Sequence, residues 1–347
     1  MKHQIRLGLL FSILLSLVSC ASTMSMMVDI EKPAAVTLPV TVQNVILVDN
    51  AVPQPMGYGI NAPSRRYSDI DSLYTKTLKT ASWQVVMKAF DNLDYSKFFS
   101  NVSIYRKALR KDKEWLSVVP VNEEIKNDFF ENENFDMLIS IDRLLFHSTI
   151  EKDQPELGRM EISLTFSAYL RDEDEPIIHT ITDTLKAYPL EASFYNGMPS
   201  LLPEEINTEL IRQASSILGK KIGMAFAPGW ETVSRTYFIR NLSDESRMNN
   251  FINKGKWVEA KNTWTSEFNK ERKVVNQARL ANNIAFASEM SGDFYGAEEW
   301  AVKAKTLFQN VSSKKYSGEI LYLEEYIKAL QERQSDNIIL DKQHGNS

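Results

Sequence analysis

Cys20 is the only cysteine in this 347-residue sequence, and its thiol is the side chain best suited to covalent attachment. The first six residues include a lysine and an arginine, and an apolar run follows from Leu7 to Val18. A charged segment, an apolar segment and small residues before a cleavage site make up a secretory signal peptide. The run has about twelve residues, too few for a spanning helix, which needs roughly 20. We therefore expect residues 1–19 to be removed and Cys20 to begin the mature chain.

The sequence Leu-Val-Ser-Cys, which ends at Cys20, resembles the lipobox of bacterial lipoproteins. The resemblance implies a diacylglyceryl thioether on Cys20 and hence a lipid anchor in the membrane. Two or three acyl chains make such an anchor effectively permanent, because each buried methylene contributes about 0.8 kcal/mol. Ala21 follows the cysteine and the first acidic residue after it is Asp29, which favours the periplasmic face of the outer membrane.

The other residue types that could do chemistry are scattered along the mature chain. Its histidines, His147, His179 and His344, do not have the short spacing of metal ligands. The sequence has neither a Gly-x-Ser-x-Gly elbow nor a glycine-rich phosphate loop. The acidic run 172–175 is interpreted as a solvated turn, although a pair of glycosidase carboxylates assembled in space stays open. We expect a non-enzymatic protein with no cofactor and no metal.

Residues 51–67 form a long loop that is a candidate binding site. The loop leaves the carboxyl end of a predicted buried strand, where open α/β sheets bind ligands. Its candidate binding side chains are Tyr58, Arg65, Arg66 and Tyr67. The alternative interpretation is a mobile, solvated loop.

Composition limits the class of protein. Hydrophobic residues at 43% and charged residues at 24% are ordinary globular values. The formal net charge of −5 gives no electrostatic reason to bind nucleic acid. Without a second cysteine there is no disulfide framework, so a hydrophobic core must stabilise the fold.

The chain is long enough for two domains. Residues 20–39 are predicted to be a tether, residues 40–240 an α/β domain with a mixed sheet, and residues 335–347 a disordered tail. Within the α/β domain, helical spacing predicts helices at 69–92, 122–131 and 203–224. Strands are predicted at 40–50, 102–105, 135–149, 161–170, 177–188 and 230–240. The buried strand and long helix that open this domain resemble periplasmic lipoproteins of the curli-secretion and penicillin-binding-protein-activator kind, which implies a role in an envelope secretion or assembly complex.

The segment 242–334 is predicted to be all-helical. Gly255-Lys256-Trp257 and Ala260 match Gly292-Asp293-Phe294 and Ala297 at a period of 37 residues. This pattern resembles the tetratricopeptide repeat, with a generic helical bundle as the alternative. A third helical element at 317–331 would cap the stack. The resemblance implies a surface that holds a protein partner, and the candidate contacts are Trp257, Trp264 and Trp300, unless these side chains serve packing instead.

Taken together, the lipobox, the segment 31–39 and the repeats resemble an uncharacterised lipoprotein family of Bacteroides-like bacteria. The predicted fold class is α+β, a mixed α/β sandwich followed by tetratricopeptide-like repeats. The triplets around Ser72 and Thr184 resemble the O-glycosylation signal of such bacteria. The expected function is a membrane-anchored scaffold protein of the cell envelope. The alternatives are a secretion or assembly component and a glycan-directed hydrolase.

Overall fold

The computed structural model describes residues 23–55, 58–59, 67–151, 154–187, 194–195, 198–199, 204–239 and 250–345. These residues divide into two compact units. The sheet unit contains the described residues of 33–229 and 341–345, and the helical unit contains those of 23–32 and 230–340. Every helix within these ranges is too short or too polar to span a bilayer.

The strands and helices follow one another in a mixed order. In chain order they are β1 (Thr23–Lys32), β2 (Asn44–Asp49), α1 (Tyr67–Ser96), β3 (Asn101–Tyr105), α2 (Glu123–Asn127), β4 (Met137–Glu151), β5 (Gln154–Leu170), β6 (Ile177–Ala187), β7 (Phe194–Tyr195), β8 (Met198–Pro199), α3 (Glu204–Phe226), β9 (Gly229–Phe238), α4 (Trp257–Lys270), α5 (Val274–Met290), α6 (Phe294–Ser312) and α7 (Ser317–Gln343).

The sheet unit is built on five strands in the order β3-β2-β4-β5-β6. Strand β2 runs parallel to β3 and β4, and β5 runs antiparallel to β4 and β6. The residues from Val45 to Val48 in β2 are at most 2% exposed. Their continuous apolar sequence predicts a strand buried on both faces, and the structure confirms it.

Helices α1 and α3 pack against each other and cover one face of this sheet. They approach closely at Gly219 of α3, where a Cβ atom would lie 2.5 Å from Lys88 Cβ and 2.7 Å from the carbonyl oxygen of Val85. The opposite face is covered by Phe129 and Phe135. Phe129 lies in a π-helical turn, Asp128–Asn132, that continues α2, and Phe135 lies in the segment after this turn. Both faces of the central strands are therefore buried.

In the helical unit, α5 packs against α4 and α6, and α7 adds to the core formed by α5 and α6. Strand β1 pairs with β9 in a two-stranded sheet. Asp29 accepts a 2.5 Å hydrogen bond from Thr232, and Met24 accepts one of 3.6 Å from Tyr237. The two strands therefore run antiparallel.

Two helix–helix turns of this unit have the same geometry. Gly255 and Gly292 have φ angles of +63° and +83°, a region that glycine occupies without strain. The amide after each glycine donates to the carbonyl oxygen five residues earlier, at 2.8 and 2.9 Å. The alanines five residues after each glycine, Ala260 and Ala297, are fully buried.

The structure corrects the prediction of a tether at 20–39. Residues 23–32 form β1 and belong to the helical unit. Val28 and Ile30 are each 4% exposed and pack in the hydrophobic core of that unit. Burial of these side chains and pairing with β9 hold the segment in place.

The compact units divide the chain at residue 230 and not at the predicted residue 240, so the helical unit includes the strands β1 and β9. The predicted disordered tail at 335–347 is helical as far as Gln343. Asp336 in this stretch accepts a 2.9 Å hydrogen bond from the ammonium group of Lys32, and Leu340 is 8% exposed.

Candidate functional site

Asp142 in β4 carries a buried carboxyl group, which lies near the carboxyl end of the neighbouring strand β2. Asp142 is 1% exposed and accepts hydrogen bonds from the hydroxyls of Ser140 and Ser167, at 2.6 and 2.5 Å, and from the Asn50 amide at 3.2 Å. Burial raises the pKa of Asp142, and these hydrogen bonds oppose that effect only in part. A break in the β4–β5 register between Ile141 and Arg143 accommodates this residue.

Asp49 carries a second, half-buried carboxyl group at the end of β2. It accepts hydrogen bonds from the Ser82 hydroxyl at 2.9 Å and from the Ala51 amide at 3.2 Å. Burial raises the pKa of Asp49 to about 6, although both hydrogen bonds act to lower it. Asp49 faces α1, whereas the partners of Asp142 lie on the opposite face of the sheet, so the two carboxyl groups do not converge on one site.

The candidate loop at 51–67 begins as an anchored segment. The side-chain amide of Gln54 bonds the backbone of Phe146 in both directions, at 2.8 and 3.0 Å, as a neighbouring strand would. Tyr58 is 58% exposed, and its ring lies 5.4 Å from that of Trp115.

The structure does not bring the four candidate side chains of this loop together. Arg65 and Arg66 lie outside the described residues. Tyr67 is the first residue of α1, and its side chain is not among those that the structure describes. A binding role for this loop stays a prediction.

An open depression of about 610 Å³ lies on the antiparallel part of the sheet. It is lined by Leu145, His147, Glu161, Ile162, Ser163, Thr182, Asp183 and Thr184. Both carboxylates of the depression form ion pairs. Glu161 Oε1 lies 3.0 Å from Arg159 Nη2, and Asp183 Oδ2 lies 2.6 Å from Lys221 Nζ. The predicted glycosylation acceptor Thr184 is exposed here, whereas the side chain of Ser72 lies outside the described residues.

The histidines stand apart from one another. His179 stacks on Phe166 with ring centroids 5.3 Å apart, and His344 lies 6.2 Å from the ring of Phe98. His147 is exposed in the depression. Within the ranges that the structure describes, no three His, Cys, Asp or Glu side chains are grouped to hold a metal ion.

The three candidate tryptophans of the helical unit, at positions 257, 264 and 300, contact other aromatic or core side chains of that unit. Trp264 is 1% exposed, so its assignment to a partner surface is wrong. Trp257 meets Phe286 edge to face at 5.2 Å. Trp300 meets Phe268 in the same way at 5.1 Å.

Helix α5 holds β9 through its side chains. Asn283 donates to the carbonyl oxygen of Phe238 at 2.7 Å and accepts from its amide at 2.8 Å, and Asn282 donates to the carbonyl oxygen of Thr236 at 2.9 Å. From α7, the Tyr322 hydroxyl accepts from the Thr236 amide at 3.0 Å. These side chains replace a neighbouring strand on one edge of β9.

Sequence reasoning missed two buried charged groups. Asp142 follows the apolar run that opens β4, and Glu289 follows the apolar run 284–287 of α5 and accepts hydrogen bonds from Arg235, Arg333 and Tyr326. A charged residue that follows an apolar run is a signal that could have found both, because such groups are almost never fully buried unless paired.

Two known family models together match most of the chain. The family model described as Domain of unknown function (DUF8603) matches residues 42–238, more than half of the chain, so the chain belongs to this family. A second model, Domain of unknown function (DUF6340), matches residues 246–332. No curated protein matches the chain. A solved structure of a PelC dodecamer from Paraburkholderia phytofirmans is similar at 12% identity and a TM-score of 0.25, covering 56% of this chain and 98% of that one.

Proposed function

We propose that the protein is a lipid-anchored, non-enzymatic scaffold of the cell envelope whose helical unit holds a protein partner. The lipid sits on Cys20, and the body lies at the periplasmic face of the outer membrane. The lipobox at the end of the signal peptide supports this location.

The equivalence of the two turns at Gly255 and Gly292 supports the partner-holding role. Both glycines have positive φ angles, and both are followed by the same backbone hydrogen bond and the same buried alanine. This is how successive helical hairpins of a tetratricopeptide-like array stack, and such arrays present extended binding surfaces.

The partner surface that we propose is the outer one, formed by α4 and α6. Helix α5 is unsuitable, because 12 of its 17 residues are buried and its asparagines already hold β9. Val258 and Tyr295 occupy equivalent positions on α4 and α6 and are 58% and 67% exposed. Two exposed apolar side chains at equivalent positions suit contact with a protein.

The experiment compares capture of partners from detergent-solubilised envelopes by the full lipidated chain and by its variants. We expect a reproducible partner to be lost in the double variant Val258→Glu, Tyr295→Glu. The control is Ile178→Glu, which places a charge on a 59% exposed apolar residue of the sheet unit. Retention of the partner by the double variant would overturn the proposal. So would cleavage of envelope glycan by the purified protein alone.

The lipid anchor is tested separately. Mass spectrometry of the N-terminal peptide is expected to show an acylated Cys20, and Cys20→Ser is expected to leave the envelope fraction. An unmodified cysteine in a protein that still fractionates with envelopes would exclude the anchor.

A further inference from the structure

The structure leaves very little chain between the proposed lipid and the folded body. Strand β1 begins at Thr23, three residues after Cys20. Three residues span at most about 11 Å. The tether that the sequence predicts, ending at residue 39, would instead reach about 68 Å at the same rise per residue. A body with so short a link cannot move freely away from the bilayer.

The direction of β1 defines which end of the helical unit is nearest to the lipid. Because β1 is antiparallel to β9, its first residues lie beside the last residues of β9, where the Tyr237 hydroxyl contacts the sulfur of Met24 at 3.6 Å. The Tyr237 ring stacks on Phe286 with centroids 6.0 Å apart. Trp257 contacts the same Phe286 ring at 5.2 Å. The turn that precedes Trp257 is therefore close to the start of β1.

That turn has the side chains of a membrane interface. It reads Lys254-Gly255-Lys256-Trp257, and both lysines are exposed. Lysine ammonium groups attract lipid phosphates, and tryptophan is enriched at the level of the headgroups. Met24, near the start of β1, adds an apolar side chain that is 40% exposed.

We propose that the turn 254–257 docks on the headgroup layer of the bilayer that holds the acyl chains. The ligands are the phosphates of the phospholipids, which Lys254 and Lys256 contact. The helical unit then lies on the membrane in one orientation. This inference rests on the proposed lipidation of Cys20.

The opposite end of the same unit provides a matched control. Asp293 Oδ2, at the start of α6, lies 2.7 Å from Lys261 Nζ near the start of α4, so both helices begin at the same end. Lys314 lies two residues beyond the last residue of α6, which has 19 residues. A helix of that length spans about 28 Å. A label at residue 314 should therefore lie far from the headgroups when a label at residue 253, next to the turn, lies among them.

The experiment measures energy transfer from a labelled protein to headgroup-labelled phosphatidylethanolamine. The lipidated full-length variants Asn253→Cys and Lys314→Cys are each labelled at one site, because the thioether blocks the natural thiol. Asn253 is exposed, lies next to the turn and leaves both of its lysines in place. The variants are reconstituted in vesicles of phosphatidylethanolamine and phosphatidylglycerol at 3:1. A third protein carries Asn253→Cys and a 15-residue Gly-Ser insertion between Ser22 and Thr23.

We expect the transfer efficiency at residue 253 to be at least threefold that at residue 314. We expect the insertion to reduce the efficiency at 253 to the level at 314. Equal efficiencies at the two positions, or no effect of the insertion, in protein whose mass shows acylation, would overturn the docking alone. An unmodified Cys20 in protein that does not sediment with vesicles would overturn the proposed anchor and the docking with it.

Discussion

Arg235 binds Glu289 through two parallel hydrogen bonds, each of 2.9 Å, with the carboxylate fully buried. The same carboxylate accepts from Arg333 Nη1 at 2.7 Å and from the Tyr326 hydroxyl at 2.7 Å. Burial acts to raise the pKa of Glu289, but the hydrogen bonds and charges of the two arginines outweigh it, and the pKa lies below its usual range. One anion thus connects β9, α5 and α7 in the helical unit.

Removal of this anion is expected to destabilise the protein strongly. Glu289→Ala leaves the guanidinium groups of Arg235 and Arg333 in a buried site without a counter-charge. Breaking a buried pair in this way costs about 3–5 kcal/mol. Urea unfolding of the mature chain at pH 7, followed by tryptophan fluorescence, measures this difference in free energy of unfolding.

The control is a surface ion pair of the same unit. Glu325 Oε1 lies 2.9 Å from Lys328 Nζ, and both side chains are about two-thirds exposed. Glu325→Ala is expected to change stability by less than about 1 kcal/mol, since exposed pairs contribute little. If the two variants unfold at the same urea concentration, the buried cluster does not stabilise the fold as argued.

Local patterns in the sequence are sufficient to predict most of the helices and strands. The continuous apolar run of β2 and the alternation from Ile162 to Leu170 in β5 predict strands, and both are observed. The helical stripe that contains Leu210 and Leu218 predicts α3, where both are at most 1% exposed. These predictions succeed because side-chain periodicity depends only on neighbouring residues. The mixed α/β class and the mutually packed C-terminal helices were confirmed at that level.

Long-range pairing could not be predicted in the same way. The strand Thr23–Lys32 has a small, polar, methionine-rich sequence, and its partner β9 begins about 200 residues later. Similarly, nothing local shows that Asn283 holds the backbone of Phe238. Trp264 has the same spacing signal whether it faces the core or a partner. Only the three-dimensional arrangement decides these cases.

The asparagine that holds β9 is expected to be essential for stability. Asn283→Leu removes both hydrogen bonds to Phe238 and leaves its buried amide and carbonyl groups without these partners. An unsatisfied buried polar group costs about 1–3 kcal/mol, so the variant should lose roughly 2–4 kcal/mol. Amide hydrogen exchange should show faster exchange at residue 238. Asn269→Leu, at an exposed position of α4, is the control, and equal stability of the two variants would contradict the role of Asn283.

The contact between α1 and α3 is expected to reject any side chain at Gly219. Gly219→Ala would place a Cβ atom 2.7 Å from the carbonyl oxygen of Val85, so the helices must move apart. Overpacking of this kind costs about 1–3 kcal/mol. Gly318→Ala, in the first turn of α7, has no atom within 4 Å and should be neutral or stabilising. Thermal unfolding of both variants tests this, and a Gly219→Ala protein that melts no lower than Gly318→Ala would show that the helices do not pack this closely.

Asp49 is expected to make stability depend on pH in the opposite direction from a salt-bridged carboxylate. Its pKa is raised by burial from 3.8 to about 6, so the folded state keeps a proton that the unfolded chain releases. Stability should therefore fall as the pH rises from about 4 to about 6. Asp49→Asn keeps an oxygen that accepts from the Ala51 amide but has no proton to lose. At one pKa unit per 1.36 kcal/mol, the variant should gain up to about 3 kcal/mol over the natural protein between pH 4 and pH 8.

Urea unfolding at the two pH values measures this gain, with Asp91→Asn, on the exposed side of α1, as the control. A stability difference between variant and natural protein that is the same at both pH values would mean that Asp49 is ionised in the folded state throughout this range.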